Sequence, residues 1–160
     1  MMRRRNRPGF TLVEMLTVIL VIAVLVTLVV GISSTIIRKA NVERTKVTMT
    51  AVMSAVQAYQ QANGQYPPPL TPTTDDTDNK ILMTALLTDA QAGPIASKLA
   101  DDLKGTVPNA IVVDGFGNTL KYLPDGGAGG TPVLISPGPD GDFGDTDTAK
   151  ANDNIRSDNR

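Results

Sequence analysis

The 160-residue chain has no cysteine, no histidine and no tryptophan. Without cysteine there is no disulfide framework and no thiolate metal site. Without histidine there is no Ser-His-Asp or Cys-His catalysis, no imidazole ligand and no side chain that shuttles protons near neutral pH. Aromatic residues make up only 4%, so a core has to be built from aliphatic side chains. A hydrolase is therefore a poor reading. An anchored enzyme would have to work with carboxylates alone, and the Asp residues that could serve cluster in one C-terminal loop with no evident pocket.

Charge is present but unevenly placed. Net charge is -1, yet residues 1–9 carry Arg3, Arg4, Arg5 and Arg7 and no acid, residues 10–37 carry only Glu14, and residues 67–160 set seven basic residues against fourteen Asp. A basic tip, an apolar stretch and an acidic body point to a membrane. They point away from nucleic acid, whose binders need a basic surface on the folded domain. From Met15 to Ile32 every residue is apolar except Thr17, Thr27 and Gly31. The low-charge run from Phe10 to Ile37 exceeds the roughly 20 residues needed to cross the hydrocarbon. It is also longer than the apolar region of a secretory signal and keeps Val, Ile and Leu to its end, so it is expected to stay attached. Four Arg ahead of the span place the N-terminus in the cytoplasm and residues 38–160 outside.

Glu14 is the expensive residue of that span. An acid inside an apolar helix costs on the order of a few kcal/mol unless it finds a partner. One resolution is local: at the membrane interface an acid favours the positive end of the helix dipole. Another comes from the surrounding residues. Gly9-Phe10-Thr11-Leu12-Val13-Glu14 after a short Arg-rich leader resembles the processing motif of prepilins and pseudopilins, the type IV pilin-like family. The resemblance implies that a membrane-embedded prepilin peptidase cuts between Gly9 and Phe10 and N-methylates Phe10. It further implies that Glu14 of one subunit pairs with the terminal amine of its neighbour, which makes the costly charge an assembly register. Many relatives carry Pro where Gly31 stands here; Gly also weakens a helix, by about 1 kcal/mol relative to Ala.

Beyond the span, residues 38–63 hold no Pro or Gly before Gly64, and Val42, Thr45, Met49, Val52, Val56 and Tyr59 recur every three or four residues. That spacing predicts one helix continuing from the apolar run, its outer half amphipathic and packed on a domain. Asn63-Gly64 and Tyr66-Pro67-Pro68-Pro69 end it. Residues 79–92 and 94–103 read as two short helices about Gly93, with Ile81, Leu82, Leu86, Leu87, Ile95, Leu99 and Leu103 facing the core, and Tyr59 and Tyr66 read as core aromatics. Ala110–Asp114, Thr119–Leu123 and Pro132–Ser136 are β-rich runs between Gly-rich turns and predict a small antiparallel sheet. The fold class is therefore α+β. A long N-terminal helix, half membrane and half amphipathic, packs on a small antiparallel sheet with short helices and an acidic C-terminal loop. The divisions are a leader at 1–9, a membrane and assembly helix at 10–37, and an outer domain at 38–160, made of a helix at 38–63, short helices at 79–104, a sheet at 110–136 and the loop and tail at 137–160.

The last stretch holds Asp140, Asp142, Asp145, Asp147 and Asp153, with Lys150 the one base between Ile135 and Ile155. Such a stretch either stays solvated and disordered, the outcome its composition favours, or is neutralised by a hard cation that takes oxygen ligands. It lacks the spacing, the central Gly and the terminal Glu of an EF-hand. The glycines at 126, 127, 129 and 130 belong to turns, since no Walker Lys-Ser/Thr accompanies them.

Three further stretches resemble the major pseudopilins of type II secretion. YQQANGQYP at 59–67 is similar to their helix end, and Asp114-Gly115-Phe116-Gly117-Asn118 to their D-x-W/F-G-N hairpin turn. Ser136, Gly138, Asp140 and Gly141, closed by Asp153-Asn154-Ile155, resemble a calcium-binding loop in which one acid of the closing pair is Asn here. The resemblance implies a calcium cofactor with Asp140 and Asp153 as ligands. Asp142, Asp145 and Asp147 are added as local candidates, with backbone carbonyls such as that of Ile135 completing the shell. It implies a non-catalytic filament subunit of a periplasmic pseudopilus that drives protein export. Its partners would be further copies of itself, minor pseudopilins, the prepilin peptidase, the inner-membrane assembly platform and lipid, with no nucleic acid. A surface type IV pilin or DNA-uptake pseudopilin shares the same N-terminus, although a C-terminal disulfide pair is absent. A signal-anchored calcium-binding domain that never polymerises is the remaining reading from a different class.

Overall fold

The computed structural model describes residues 10–68, 77–144 and 150–158, the side chains at 28–34 and 150 aside. The leader at 1–9 lies outside them. The chain divides into two compact units, Met1–Ile37 and Arg38–Arg160. Helix α1 runs from Leu12 to Asn63. In the first unit its side chains from Leu12 to Leu25 are apolar apart from Glu14 and Thr17, and they are exposed. Among the described residues, no helix is long and apolar enough to cross a membrane.

In the second unit α1 presents the expected stripe. Thr45, Met49, Val52 and Val56 are buried, joined by Thr48 and Ala55, and Tyr59 packs on the core from its edge. The helix stops where the sequence places the stop. Gly64 takes a left-handed φ of 74° and its N–H donates to the Gln60 carbonyl at 2.8 Å, a C-terminal cap that a residue with a Cβ resists. Tyr66 is 37% exposed, so it is not a core residue. The buried aromatic is Tyr122, whose hydroxyl donates to the Pro67 carbonyl; burial, and next Tyr66, push its pKa well above the usual tyrosine range.

Helix α2 spans Thr77–Thr88, four residues short of the expected end. The reason is Asp89, whose Oδ1 accepts the N–H groups of Gln91 at 2.9 Å and Ala92 at 2.8 Å, so the side chain competes with helical bonding. Its Oδ2 accepts from Asn63 Nδ2 at 2.9 Å. The Ala92 N–H and the Asn63 amide hold the Asp89 carboxyl below the usual range. Helix α3, Gly93–Ala96, passes into a 3-10 turn at Ser97–Asp102, after which Leu103 begins strand β1 rather than ending a helix. Leu82, Met83, Leu86 and Leu99 are buried, whereas Ile81 is 40% exposed and faces outward.

The expected single sheet is two. Strand β1 (Leu103–Lys104) pairs antiparallel with β2 (Ile111–Val112), in register Leu103↔Val112. Strands β3 (Lys121–Leu123), β4 (Val133–Ser136) and β5 (Ile155–Arg156) form an antiparallel sheet in that order, with Tyr122 opposite Leu134 and Ser136 opposite Ile155. Among the described residues a single bridge, Val113↔Thr119, is all that remains of the expected ladder between the first two runs. Asn79 is the cause. Its amide donates to the carbonyls of Val112 at 3.1 Å and Leu120 at 2.7 Å, and its Oδ1 accepts the Val112 N–H at 2.8 Å. It thus takes the Val112 N–H and the Leu120 carbonyl, one of the two bonds this pair would exchange, while the Leu120 N–H still donates to the Val112 carbonyl at 3.3 Å.

Candidate functional site

Two places carry the sequence motifs. The first is the start of α1. Thr11 Oγ1 accepts the Glu14 N–H, and Glu14 Oε2 accepts the Thr11 N–H, both at 3.2 Å. The Thr11 hydroxyl also donates to Glu14 Oε2 at 3.2 Å. This is a capping box, in which two of the helix's unpaired N–H groups are satisfied reciprocally. The pattern Thr11-x-x-Glu14 is legible from spacing alone and explains locally how the lone acid of the apolar run is held. Phe10 precedes it, 77% exposed, and Gly9 lies outside the described residues. Thr11→Ala removes the cap and should cost the helix start about 1 kcal/mol, seen as a roughly fivefold rise in amide exchange confined to the first turn.

The second place is the C-terminal loop. Ser136 ends β4 and Gly138–Asp140 forms a 3-10 turn; a second such turn at Lys150–Asp153 leads into β5, and the two turns pack together. Gly138 sits at φ 71°, and a Cβ there would stand 2.5 Å from the Asp153 carbonyl oxygen and 3.2 Å from Asp153 Cγ. The opening and closing residues of the loop therefore meet. Asp140 is exposed; its Oδ1 accepts the Asp142 N–H, and Asp142 Oδ1 accepts the Gly144 N–H, each at 2.9 Å. Asp145 and Asp147 lie outside the described residues. Among the described residues no group of three or more acidic side chains converges as a metal ligand set.

The loop nevertheless contains two buried acceptors that have no partner among the described residues, Asp153 Oδ1 and Asn154 Oδ1. Asn154 Nδ2 donates to the Phe143 carbonyl at 3.0 Å, which fixes the amide and leaves its oxygen directed elsewhere. A buried acceptor without a donor costs about 1–3 kcal/mol, and oxygen-preferring cations relieve that cost. The donor types present fit calcium: carboxylate, amide oxygen and backbone carbonyl. Asn154, which stands where the resemblance puts an acid, keeps the oxygen and loses only the charge. Nearby, Lys121 Nζ stands 5.4 Å from the centroid of the Phe143 ring, a cation against the apolar wall of the loop.

The loop is anchored by residues that spacing does not single out. Asp114 is 3% exposed. Its Oδ1 accepts the N–H groups of Phe116 at 2.9 Å and Asn118 at 2.8 Å, and its Oδ2 accepts the Ser136 hydroxyl at 2.7 Å. Asn118 Nδ2 donates to the Gly138 carbonyl at 2.8 Å. The D-x-F-G-N turn therefore does more than join strands: it holds the first turn of the loop.

The prokaryotic N-terminal methylation motif matches residues 4–30, and the type II secretion system protein G family matches residues 34–155, most of the outer unit. No curated protein and no solved structure matches the chain significantly. The two matches follow one another along the chain, the first over the start of α1 and the second over the rest of α1, the small α+β domain and most of the closing loop. The chain belongs to the protein G family of type II secretion systems and is a major pseudopilin, a structural subunit of the type II secretion pseudopilus.

Proposed function

We propose that the chain is a single-pass inner-membrane protein, with its N-terminus cytoplasmic and residues 38–160 periplasmic. In this reading it is cut between Gly9 and Phe10, methylated on Phe10, and drawn from the membrane into a filament. What carries the reading is Glu14, placed behind an exposed Phe10 in the capping box of a chain whose residues 4–30 match the methylation motif. In the membrane the box holds the carboxylate against Thr11; in the filament the same carboxylate pairs with the Phe10 amine of the neighbouring subunit. Further copies of the chain, minor pseudopilins, the prepilin peptidase and the assembly platform are the partners.

Glu14→Gln separates the two roles, because Gln also completes a capping box but carries no charge for the neighbour's amine. The variant is expected to insert and be processed like the native chain, yet to yield at least about tenfold less filament, the effect of losing about 1.4 kcal/mol per contact. Native filament levels in this variant would reject the pairing. Processing itself is read by intact mass with N-terminal fragmentation of protein from native membranes. A chain beginning at methylated Phe10 is expected; one retaining Met1 or Met2 with the peptidase present leaves only an anchored domain.

The C-terminal loop is proposed to hold calcium through Asp153, Asn154 and Asp140, with Asp142, Asp145 and Asp147 close by in sequence. The support is the pair of buried oxygens at Asp153 and Asn154 that lack partners among the described residues. Calcium supplies there the positive charge that lets crowded carboxylates close on one another. At about one hundred times its dissociation constant it adds about 2.7 kcal/mol to the folded state, so chelation should lower the melting temperature by roughly 10 °C. An unchanged melt, with no metal in the purified protein, would remove calcium from the account.

A further inference from the structure

We infer that Asp114 is the positioning residue that ties the calcium loop to α1, so that a cation held in the loop also steadies the helix at Asn41–Met49. The inference rests on the calcium reading above.

The connection can be followed atom by atom in both directions from Asp114. Toward the loop, Asp114 Oδ2 accepts the Ser136 hydroxyl, and the same oxygen of Ser136 accepts the Gly138 N–H at 3.0 Å. Asp114 Oδ1 accepts the Asn118 N–H, while the Asn118 amide donates to the Gly138 carbonyl. Both backbone polar groups of Gly138 are thus held by residues bonded to one carboxylate. Gly138 in turn lies on Asp153, whose Oδ1 is one of the two buried acceptors described above. Toward the helix, the Gly115 N–H donates to Thr45 Oγ1 at 3.0 Å, and the Thr45 hydroxyl donates to the Asn41 carbonyl at 2.8 Å. Gly115 also lies directly on the Asn41 backbone, with no room for a Cβ.

Every link is either a hydrogen bond of a buried or half-buried group or a backbone-on-backbone contact. No long flexible side chain intervenes to absorb a displacement, and close-packed interiors transmit small shifts for that reason. A cation that draws in Asp153 and Asn154 fixes the surface on which Gly138 rests. Gly138 then fixes the Asp114 turn, and the turn fixes α1. Three Asp114 acceptor bonds would not be needed merely to close a five-residue turn; the one to Ser136 reaches out of the turn to the loop.

The test uses the full chain in detergent micelles, stripped with chelator, with calcium uptake followed by titration calorimetry and backbone amide exchange by mass spectrometry. In the native chain calcium should slow exchange at Phe116, Asn118 and Thr45–Met49 by at least about fivefold. Thr45→Val keeps the side-chain shape and removes the hydroxyl; calcium should still protect Phe116 and Asn118 fully but α1 less, since only the Gly115 contact with the Asn41 backbone is left. Ser136→Ala together with Asn118→Ala breaks both links on the loop side and should abolish the calcium-dependent protection at Phe116 and at α1 while titration still registers uptake. A residue that only stabilised the fold would change exchange equally with and without calcium. Undiminished protection of α1 in Thr45→Val, or calcium uptake by the native chain without slower exchange at Thr45–Met49, overturns the inference and leaves the metal reading intact. Absence of uptake in the native chain overturns both.

Discussion

Gly115→Ala is expected to destabilise the outer domain by about 3 kcal/mol or more, the upper range for inserting a methyl group into a packed site. The new Cβ would be driven onto the Asn41 carbonyl oxygen, with the Asn41 carbonyl carbon at 2.9 Å and its Cα at 3.0 Å. A flexible side chain could swing aside, but this neighbour is the backbone of α1. Either the helix moves away from the turn, breaking the Gly115 N–H to Thr45 bond, or the turn moves and takes the Asp114 acceptors with it. Against a total stability of about 5–15 kcal/mol, either outcome lowers the melting temperature by roughly 10 °C or more. Gly129→Ala is the comparison, since that residue has a φ of 69° but a methyl group added there meets nothing within 4 Å. It should cost only about 1–2 kcal/mol, the strain of a left-handed residue. Equal melting of the two variants would show that the contact between Gly115 and the Asn41 backbone yields at little cost.

Asn79→Ala is expected to cost a further large increment, about 3–5 kcal/mol, by leaving the buried Val112 N–H and Leu120 carbonyl without the partners they now have. Asn79 is 1% exposed, so water does not replace the lost amide without opening the core. Urea unfolding should show the loss as a lower midpoint at unchanged slope. Asn79→Asp is the sharper probe. It keeps an acceptor for Val112 but sets a carboxylate against the carbonyls of Val112 and Leu120, so it should be at least as damaging as Ala at neutral pH. If both variants unfold near the native midpoint, Asn79 does not join the two sheets.

Neither residue's contacts can be read from the chain, and the contrast with the N-terminus is instructive. Thr11 and Glu14 are three positions apart, so the capping box follows from helical geometry once a helix begins at Leu12. The same holds for Gly64, whose cap needs only the preceding turn, and for the stripe from Thr45 to Val56, which a period of 3.6 dictates. The β-rich runs are legible as strands because they are short, rich in β-branched and aliphatic residues and bounded by Gly turns. Their partners are not: β1 arises from residues that read as a helix end, and β5 from two residues behind the acidic loop.

The sequence by itself therefore determined the features set by neighbours a few residues apart: the methylation motif, the long helix and its two ends, the helix-to-strand order, and the concentration of acid near the C-terminus. Tertiary structure decided what those pieces touch. Asn79 reaches Val112 and Leu120, Asp114 reaches Ser136, Gly115 meets Asn41, and Gly138 meets Asp153, all across separations at which no periodicity operates. Local geometry is fixed by a handful of adjacent dihedral angles, whereas these pairings exist only after the aliphatic core has closed and forced buried polar groups to find the partners that water no longer supplies.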